Sequence, residues 1–181
     1  GLELGEDRLY ETAAKKFRLE HIPPPKGLRP DLPDNAYGQG RILVTPLEMA
    51  RVVAAIANGG IMMKPQFVKD IRLGDEVQEE SAPVEMGRPI SPATSRALRK
   101  MMADVTTIGT ARGTFAGLRV SVAGKTGSAE NDQADRMPHS WFVGFAPVED
   151  PRIAFAVVVE NGGWGRNAAG PVCREIVKAA L

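Results

Sequence analysis

Cysteine, net charge and long apolar runs are all scarce in this sequence of 181 residues. Its one cysteine, Cys173, excludes an internal disulfide and a cysteine-rich metal cluster, and its place in an amphipathic segment predicts a packing role. The 23 Lys and Arg residues are balanced by 22 Asp and Glu residues, so the formal net charge is only +1. That balance gives no reason to expect nucleic acid or an acidic polymer as a partner.

Membrane and metal signals are also missing from the sequence. No apolar run approaches the roughly 20 residues that a membrane-spanning helix needs, and residues 1–4 lack the basic and apolar regions of a signal peptide. We therefore expect any membrane anchor to lie outside this chain. The two histidines have no matching acidic or thiol cluster, which predicts no zinc site and no other cofactor.

Capping residues and apolar spacing predict four helices. The first covers residues 6–17, the second begins at Thr45 with a capping box to Glu48 and ends before Asn58, and the third begins at Ser91. Met101 and Met102 are expected in the core beneath the third helix. The fourth helix covers residues 170–181, and these residues are predicted to pack on a sheet: Val172, Ile176, Val177 and Ala180.

Between these helices the sequence predicts less regular structure. Five prolines within residues 22–34 predict an extended loop. Residues 61–73 read as extended at an edge, and four of their apolar side chains are expected to reach a core: Phe67, Val68, Ile71 and Leu73. Residues 74–88 are acidic and predicted to be an irregular, solvated excursion.

The last third changes from helical to strand periodicity. Residues 119–130, 140–147 and 152–160 alternate or are rich in β-branched and aromatic residues, with turn residues between them. Three successive strands with short connections favour an antiparallel meander. We therefore predict an α+β fold in which an antiparallel sheet is covered by helices.

The predicted strand at residues 119–130 carries the most reactive set of side chains. Lys125, Thr126, Gly127 and Ser128 are consecutive. Because side chains alternate along a strand, Thr126 and Ser128 share one face and Lys125 lies on the other. Two hydroxyls at this spacing can hold a carboxylate, and Gly127 permits the close approach of a ligand backbone. Taken alone, a Lys-Thr-Gly tripeptide is a weak signal.

Several further segments, in the same order and spacing, give the sequence a resemblance to penicillin-binding proteins. They are Tyr37-Gly38-Gln39-Gly40, Val44-Thr45-Pro46-Leu47, Ile56-Ala57-Asn58-Gly59-Gly60, Gly109-Thr110-Ala111, Pro138-His139-Ser140-Trp141-Phe142-Val143-Gly144-Phe145 and Val157-Val158-Val159-Glu160-Asn161-Gly162-Gly163. The chain most resembles the class B, division-associated proteins of actinobacteria and related Gram-positive bacteria. The resemblance implies part of the transpeptidase fold that these proteins share with serine β-lactamases.

By this resemblance, the complete protein cross-links the stem peptides of peptidoglycan through a serine acyl-enzyme and binds penicillin covalently. The catalytic residues in this chain would be Lys125, Thr126, Gly127 and Ser128. Lys125 would supply positive charge, Thr126 and Ser128 would bind the carboxylate of substrate or β-lactam, and the Ser128 N–H would donate to the oxyanion. His139 is a candidate for substrate binding.

The serine nucleophile of the family is absent from this sequence. No serine is followed by lysine three positions later or by asparagine two positions later, and Ser121 precedes Lys125 by four. We therefore interpret residues 1–181 as the C-terminal portion of a single transpeptidase domain, inactive without the N-terminal remainder. That remainder, stem peptide and β-lactams are the expected partners, with glycosyltransferase and division proteins as further candidates.

The resemblance places the domain on the outer face of the bacterial cytoplasmic membrane. Other functions of the same fold stay open from sequence, namely a β-lactam sensor and a D,D-carboxypeptidase. A cell-wall peptide-binding module without catalysis is an alternative of a different class. A serine nucleophile encoded upstream would separate the enzymes from the binding module.

Overall fold

The computed structural model describes residues 3–131 and 135–181. Its centre is a three-stranded antiparallel sheet with helices on both faces, so the predicted α+β meander is confirmed. No helix among these residues is long and apolar enough to cross a membrane.

Six α-helices and seven strands make up the described structure. The helices are α1 (Gly5–Tyr10), α2 (Pro25–Leu28), α3 (Leu32–Tyr37), α4 (Pro46–Ala57), α5 (Pro92–Thr107) and α6 (Ala169–Ala180). The strands are β1 (Met62–Met63), β2 (Asp70–Leu73), β3 (Glu76–Glu80), β4 (Glu85–Gly87), β5 (Ala123–Ala129), β6 (His139–Ala146) and β7 (Ile153–Val159). A π-type turn at Glu11–Lys16 extends α1, and a 3₁₀ turn at Arg29–Asp31 joins α2 to α3.

The central sheet is ordered β5-β6-β7 and separates two apolar cores. Helices α4 and α5 cover one face, where Val53, Met102 and Phe145 are buried together. Helix α6 covers the other face, where Phe142 and Cys173 are buried. Strand alternation sends neighbouring residues of β6 into different cores, which explains why nearly the whole of this strand is apolar.

Burial of the single cysteine confirms its predicted packing role. Cys173 is fully buried against the sheet, and this burial raises the pKa of its thiol to about 12.

The N-terminal prediction was right about α1 and wrong about the proline-rich segment. Residues 25–37 form two short helices and a 3₁₀ turn instead of an extended loop. Pro25, Pro30 and Pro33 each lie at the first or second position of one of these elements. There the missing N–H costs no hydrogen bond and the fixed φ suits a helix, so proline begins these helices instead of preventing them.

The predictions for residues 61–88 were right that residues 61–73 contain extended structure and that the acidic segment is solvated, but wrong in two respects. Phe67 and Leu73 are 86% and 74% exposed, and Val68 and Ile71 are exposed as well, so none of the four reaches a core. The acidic segment is not irregular, because β3 pairs with β2 in an antiparallel hairpin and β4 pairs with β1.

The predicted buried faces of the last two helices need correction. In α5, Met102 is buried but Met101 is 62% exposed. In α6, Val177 is buried as predicted, whereas Val172, Ile176 and Ala180 are exposed. The stripe that packs on the sheet is instead Ala169, Cys173 and Val177.

Helix α4 begins as its sequence predicted, with a complete capping box. Thr45 accepts from the Glu48 N–H, and the buried Glu48 carboxylate accepts from the Thr45 N–H at 2.7 Å. The same carboxylate accepts from the Glu20 N–H at 2.7 Å, which ties the N-terminal segment to this helix. Burial by itself raises the pKa of Glu48, but hydrogen bonds from Glu20 and Thr45 outweigh it and lower the pKa.

We expect Glu48→Gln to lower the free energy of unfolding of the complete protein by about 2 kcal/mol near pH 7. An amide cannot accept at both oxygen positions. The folded-state pKa of Glu48 lies below its ordinary value of 4.5. The Glu48 carboxylate therefore contributes fully to the free energy of unfolding above pH 4.5, and this contribution is lost as the pH falls through the folded-state pKa. Urea unfolding at about pH 7 and about pH 3 measures the difference. The exposed Glu79→Gln is the control, and an equal loss at both pH values would contradict the prediction.

Candidate active site

Within residues 3–131 and 135–181, strand β5 is an edge strand that pairs with β6 alone. Lys125 lies opposite Val143, and Thr126 lies opposite Phe142. Val143 belongs to the core under α4 and α5, whereas Phe142 belongs to the core under α6. The predicted alternation is therefore confirmed, with Thr126 and Ser128 on the α6 side of the strand and Lys125 on the other side.

The free edge of β5 carries the backbone groups of alternate residues. The Ser128 carbonyl accepts from Gln39 Nε2 at 3.2 Å, so it points away from β6. In an antiparallel ladder, the N–H and C=O of one residue point to the same side of the strand. The Ser128 N–H and the backbone groups of Thr126 therefore face this edge too. A ligand that lies along β5 can reach a preformed N–H donor there.

The Lys125 ammonium is solvent-exposed and lies at this same edge. Its Nζ donates to the Thr126 carbonyl at 2.5 Å, so the side chain folds back along its own strand. The positive charge thus lies beside the outward-facing groups of β5. A negatively charged or oxyanionic ligand placed along the strand would meet both the ammonium and the N–H of Ser128.

The two hydroxyls of the strand are each held by one partner. Thr126 Oγ1 lies 2.7 Å from Thr110 Oγ1, and Ser128 Oγ accepts from the Gly165 N–H at 3.3 Å. A hydroxyl that accepts one bond keeps its own proton to donate. Ser128 is in this position, and so is Thr126 when Thr110 is the donor of their pair, so both hydroxyls can then donate to a carboxylate.

The loop after β7 packs directly on the sheet beside Ser128. The buried Ser140 donates to the Trp164 carbonyl and accepts from the Ala169 N–H, both at 3.0 Å, and so holds the two ends of the loop. Between them, a Cβ added at Gly165 would lie 2.4 Å from the Trp141 carbonyl oxygen. Only glycine permits this approach, which brings the Gly165 N–H to Ser128.

His139 follows the candidate site along the sheet and holds the same loop. It lies opposite Ala129, and its Nδ1 accepts from the Asn161 N–H at 3.0 Å. A ring nitrogen that accepts a hydrogen bond carries no proton, so Nε2 is the donor of the neutral ring. This contact gives His139 a part in positioning the loop. Its binding of substrate remains a prediction.

Ser121 lies away from the free edge of β5. Its Oγ donates to Glu149 and accepts from the Val148 N–H at 2.9 Å. The hydrogen bond from Ser121 lowers the pKa of Glu149. This pair lines an open groove of about 360 Å³ between α5 and residues 113–122, which does not include Lys125 or Ser128. We therefore base the candidate site on β5 and not on that groove.

Sequence reasoning missed three residues that contact the strand. Thr110 and Gln39 entered the sequence analysis only as parts of family motifs, and Gly165 carried no prediction. Their contacts with Thr126, Ser128 and Glu130 span 16 to 91 positions of sequence. The side-chain type alone gave no signal of those partners.

We expect Thr110→Val in the complete protein to weaken the binding of a carboxylate ligand by about five- to tenfold, because the Thr126 hydroxyl loses its neighbour and its orientation. The change should appear in the dissociation constant of the first, non-covalent complex with a β-lactam. Thr107→Val is a matched control, since the Thr107 hydroxyl donates to the Ala103 and Asp104 carbonyls of its own helix. Unchanged binding in Thr110→Val would show that the hydroxyl pair has no part in the site.

Comparison with known proteins identifies the family. The model of the penicillin-binding protein transpeptidase domain matches residues 2–180. The peptidoglycan D,D-transpeptidase PbpA of Mycolicibacterium smegmatis is 34% identical over 201 residues, which cover 100% of this chain and 40% of that protein. The chain thus spans about 40% of the length of this curated relative.

Solved structures give the same result. The ceftriaxone acyl-enzyme complex of penicillin-binding protein A from Mycobacterium tuberculosis superposes with a TM-score of 0.88 and 31% identity, covering 100% of this chain and 44% of that one. The D,D-transpeptidase domain of a peptidoglycan glycosyltransferase from Eggerthella lenta gives a TM-score of 0.87 and 30% identity, with 100% and 49% coverage. The resemblance predicted from the motifs is therefore confirmed.

Proposed function

Since this chain belongs to the family of penicillin-binding protein transpeptidase domains, we propose that the protein containing it is a peptidoglycan D,D-transpeptidase. The enzyme cross-links stem peptides through a serine acyl-enzyme, and β-lactams acylate the same serine. This chain supplies the Lys-Thr-Gly strand, whereas the nucleophile belongs to a part of the domain outside this sequence. Relatives named as D,D-transpeptidases and β-lactam acyl-enzyme structures support the proposal.

The arrangement of functional groups along β5 is the main support for the proposed transpeptidase function. One free strand edge presents an exposed ammonium, two donor hydroxyls and the N–H of Ser128 within four consecutive residues. These groups suit a peptide that ends in a carboxylate and whose penultimate residue carries the carbonyl that the nucleophile attacks. The hydroxyls of Thr126 and Ser128 hold the carboxylate, and the Ser128 N–H reaches the carbonyl that precedes it.

Acylation then follows the chemistry of an activated serine. The serine oxygen attacks the carbonyl of the penultimate D-Ala while its proton passes to the lysine one helical turn later. Negative charge develops on the carbonyl oxygen, where the N–H groups of Ser128 and of the nucleophile donate to it. The C–N bond breaks as the proton passes from that lysine to the leaving nitrogen, the terminal D-Ala leaves as an amine, and the acyl-enzyme remains. Lys125 stabilises negative charge throughout.

The fate of the acyl-enzyme defines the reaction class. In a transpeptidase, the amine of a second stem peptide attacks the ester carbonyl. The new amide bond forms as the ester C–O bond breaks, and a proton from the attacking amine returns to the serine oxygen. Attack by water instead would make the protein a D,D-carboxypeptidase, and a long-lived β-lactam adduct alone would make it a sensor. The domain acts outside the cytoplasmic membrane, where its partners are stem peptides and the proteins of wall synthesis and division.

Covalent labelling with a fluorescent penicillin tests the proposal. The longest product of the reading frame that contains this chain is compared with the chain alone and with a variant whose Ser-x-x-Lys serine is changed to alanine. We expect label only on the longer product with an intact serine. Labelling of neither protein would favour a binding module without catalysis. Labelling of this chain alone would mean that the nucleophile lies within residues 1–181.

A further inference from the structure

Gln39 closes the free edge of β5 immediately after the candidate site. Its carboxamide Nε2 donates to the Ser128 carbonyl at 3.2 Å, and its Oε1 accepts from the Glu130 N–H at 3.1 Å. These are the two groups that one residue of a parallel neighbouring strand would use. The side chain of Gln39 therefore makes the pair of hydrogen bonds that one residue of a neighbouring strand would make at the end of the site.

The position of Gln39 is fixed by the structure around it. Helix α3 ends at Gly38, whose φ of 92° lies in the left-handed region that favours glycine. The Gln39 N–H then donates to the Asp34 carbonyl at 2.9 Å. Two residues later, the Arg41 N–H donates to the side chain of the buried Asn35 at 2.7 Å. The backbone is thus held on both sides of Gln39.

Asn35 also explains why this loop passes so close to its helix. Its Nδ2 donates to the Asp31 carbonyl at 2.9 Å and to the Leu28 carbonyl at 3.3 Å. A Cβ at Gly40 would lie 2.2 Å from the Asn35 side-chain oxygen, so the close contact requires glycine there. Because the loop is anchored by this buried amide, Gln39 is presented to β5 in one orientation.

Gln39 leaves the Ser128 N–H untouched and uses one of the two lone pairs of the Ser128 carbonyl, so an antiparallel ligand residue can still pair with Ser128. The next ligand residue would need the Glu130 N–H, which Gln39 already holds. A ligand whose carboxylate lies at Thr126 and whose reactive carbonyl lies at the Ser128 N–H runs antiparallel to β5. Its acyl segment, on the other side of the reactive carbonyl, therefore heads toward Glu130. There it meets the rung already made by Gln39 and must leave the strand edge or displace the side chain.

We propose that Gln39 is a positioning residue that sets the register of the ligand on β5 by ending the available edge at Ser128. The inference rests on the proposed function. By stopping the acyl segment, Gln39 prevents the ligand from sliding along the strand, so that one carbonyl, and not its neighbour, faces the Ser128 N–H. It touches the acyl segment and not the reacting atoms, and it acts through alignment.

Two β-lactams that share a ring but differ in their acyl segment test this role. Benzylpenicillin carries an acylamino chain that extends toward Gln39, whereas 6-aminopenicillanic acid ends before it. The first-order acylation constant and the dissociation constant of the preceding complex are measured for each compound with the complete protein, its Gln39→Ala variant and a control. Gln66→Ala is the matched control, because Gln66 also donates to one backbone carbonyl, but to that of Ala82 and not to β5.

We expect Gln39→Ala to lower the first-order acylation constant for benzylpenicillin by about tenfold. The constant for 6-aminopenicillanic acid and the control variant should change less than about twofold. An equal fall for both compounds would overturn the proposal, since it would show a structural role without selectivity. No change for either would also overturn it. If the unchanged complete protein is not acylated by benzylpenicillin, the proposed function itself fails.

Discussion

Replacement of Lys125 by alanine in the complete protein is expected to lower the second-order rate constant of acylation by benzylpenicillin by about two to three orders of magnitude. The ammonium lies at the free edge of β5, where negative charge develops during attack. Removing it takes one positive charge away from that edge. Because the side chain is exposed and donates to the carbonyl of the next residue, thermal stability should change little.

Two further variants separate this effect from a general loss of positive charge. Lys69→Ala removes another exposed lysine near the β2–β3 hairpin and should leave acylation unchanged. Lys125→Arg keeps the charge but spreads it over a larger group, so we expect an intermediate rate. Stopped-flow quenching or the time course of fluorescent-penicillin labelling measures all three. A Lys125→Ala protein that is acylated at the normal rate would refute the assignment of β5 as the active-site strand.

Gly165→Ala is expected to have the largest effect on stability, about 2–3 kcal/mol, together with slower acylation. A Cβ at this position would lie 2.4 Å from the Trp141 carbonyl oxygen and 2.5 Å from the Gly127 carbonyl oxygen. Neither backbone atom can yield without moving the sheet. The loop must therefore rise, which takes the Gly165 N–H away from Ser128.

The two consequences of Gly165→Ala are measured independently. Denaturant unfolding gives the stability, and fluorescent-penicillin kinetics give the acylation rate at a temperature where the variant is fully folded. Asn167→Ala is the matched control in the same loop, because the Asn167 side chain is exposed. Normal stability of Gly165→Ala would show that the loop does not need its close contact with the strand.

Local signals predicted the elements whose causes are local. The start of α4 depends on Thr45, Pro46 and Glu48, which are neighbours in sequence, and the capping box appears as expected. The three-stranded meander also follows from periodicity and short connections. In the proline-rich segment the same local reasoning failed, because proline suits the first turn of a helix as well as it suits a loop.

The sequence could not predict which side chains are buried where two faces of an element are equally apolar. In α6, the stripe Ala169-Cys173-Val177 packs on the sheet, but the neighbouring stripe Val172-Ile176-Ala180 is equally regular and equally apolar. Helical spacing cannot decide between two adjacent apolar stripes. Similarly, Phe67 and Leu73 look like core residues, yet they are strongly exposed, and no described residue of the β2–β3 hairpin belongs to either core.

The candidate site was predictable only along its own strand. The alternation of Lys125, Thr126 and Ser128 follows from the geometry of any strand, and the family resemblance supplied their expected roles. Gln39 and Thr110 could not be connected to that strand, because their contacts depend on how distant segments pack. A polar side chain in a loop gives no indication of which backbone group, 16 or 91 positions away, it will bond.

The buried thiol beneath the sheet provides an intrinsic reporter of unfolding. A thiol reacts as the thiolate, and with a pKa of about 12 Cys173 is almost wholly protonated near pH 7. It is also fully shielded by α6 and β6, so alkylating reagents reach it only when the two separate. Since this chain contains one cysteine, its rate of alkylation would report how often the α6 face of the sheet opens. A mass shift on the tryptic peptide that contains Cys173 would record this opening in the complete protein without an engineered probe.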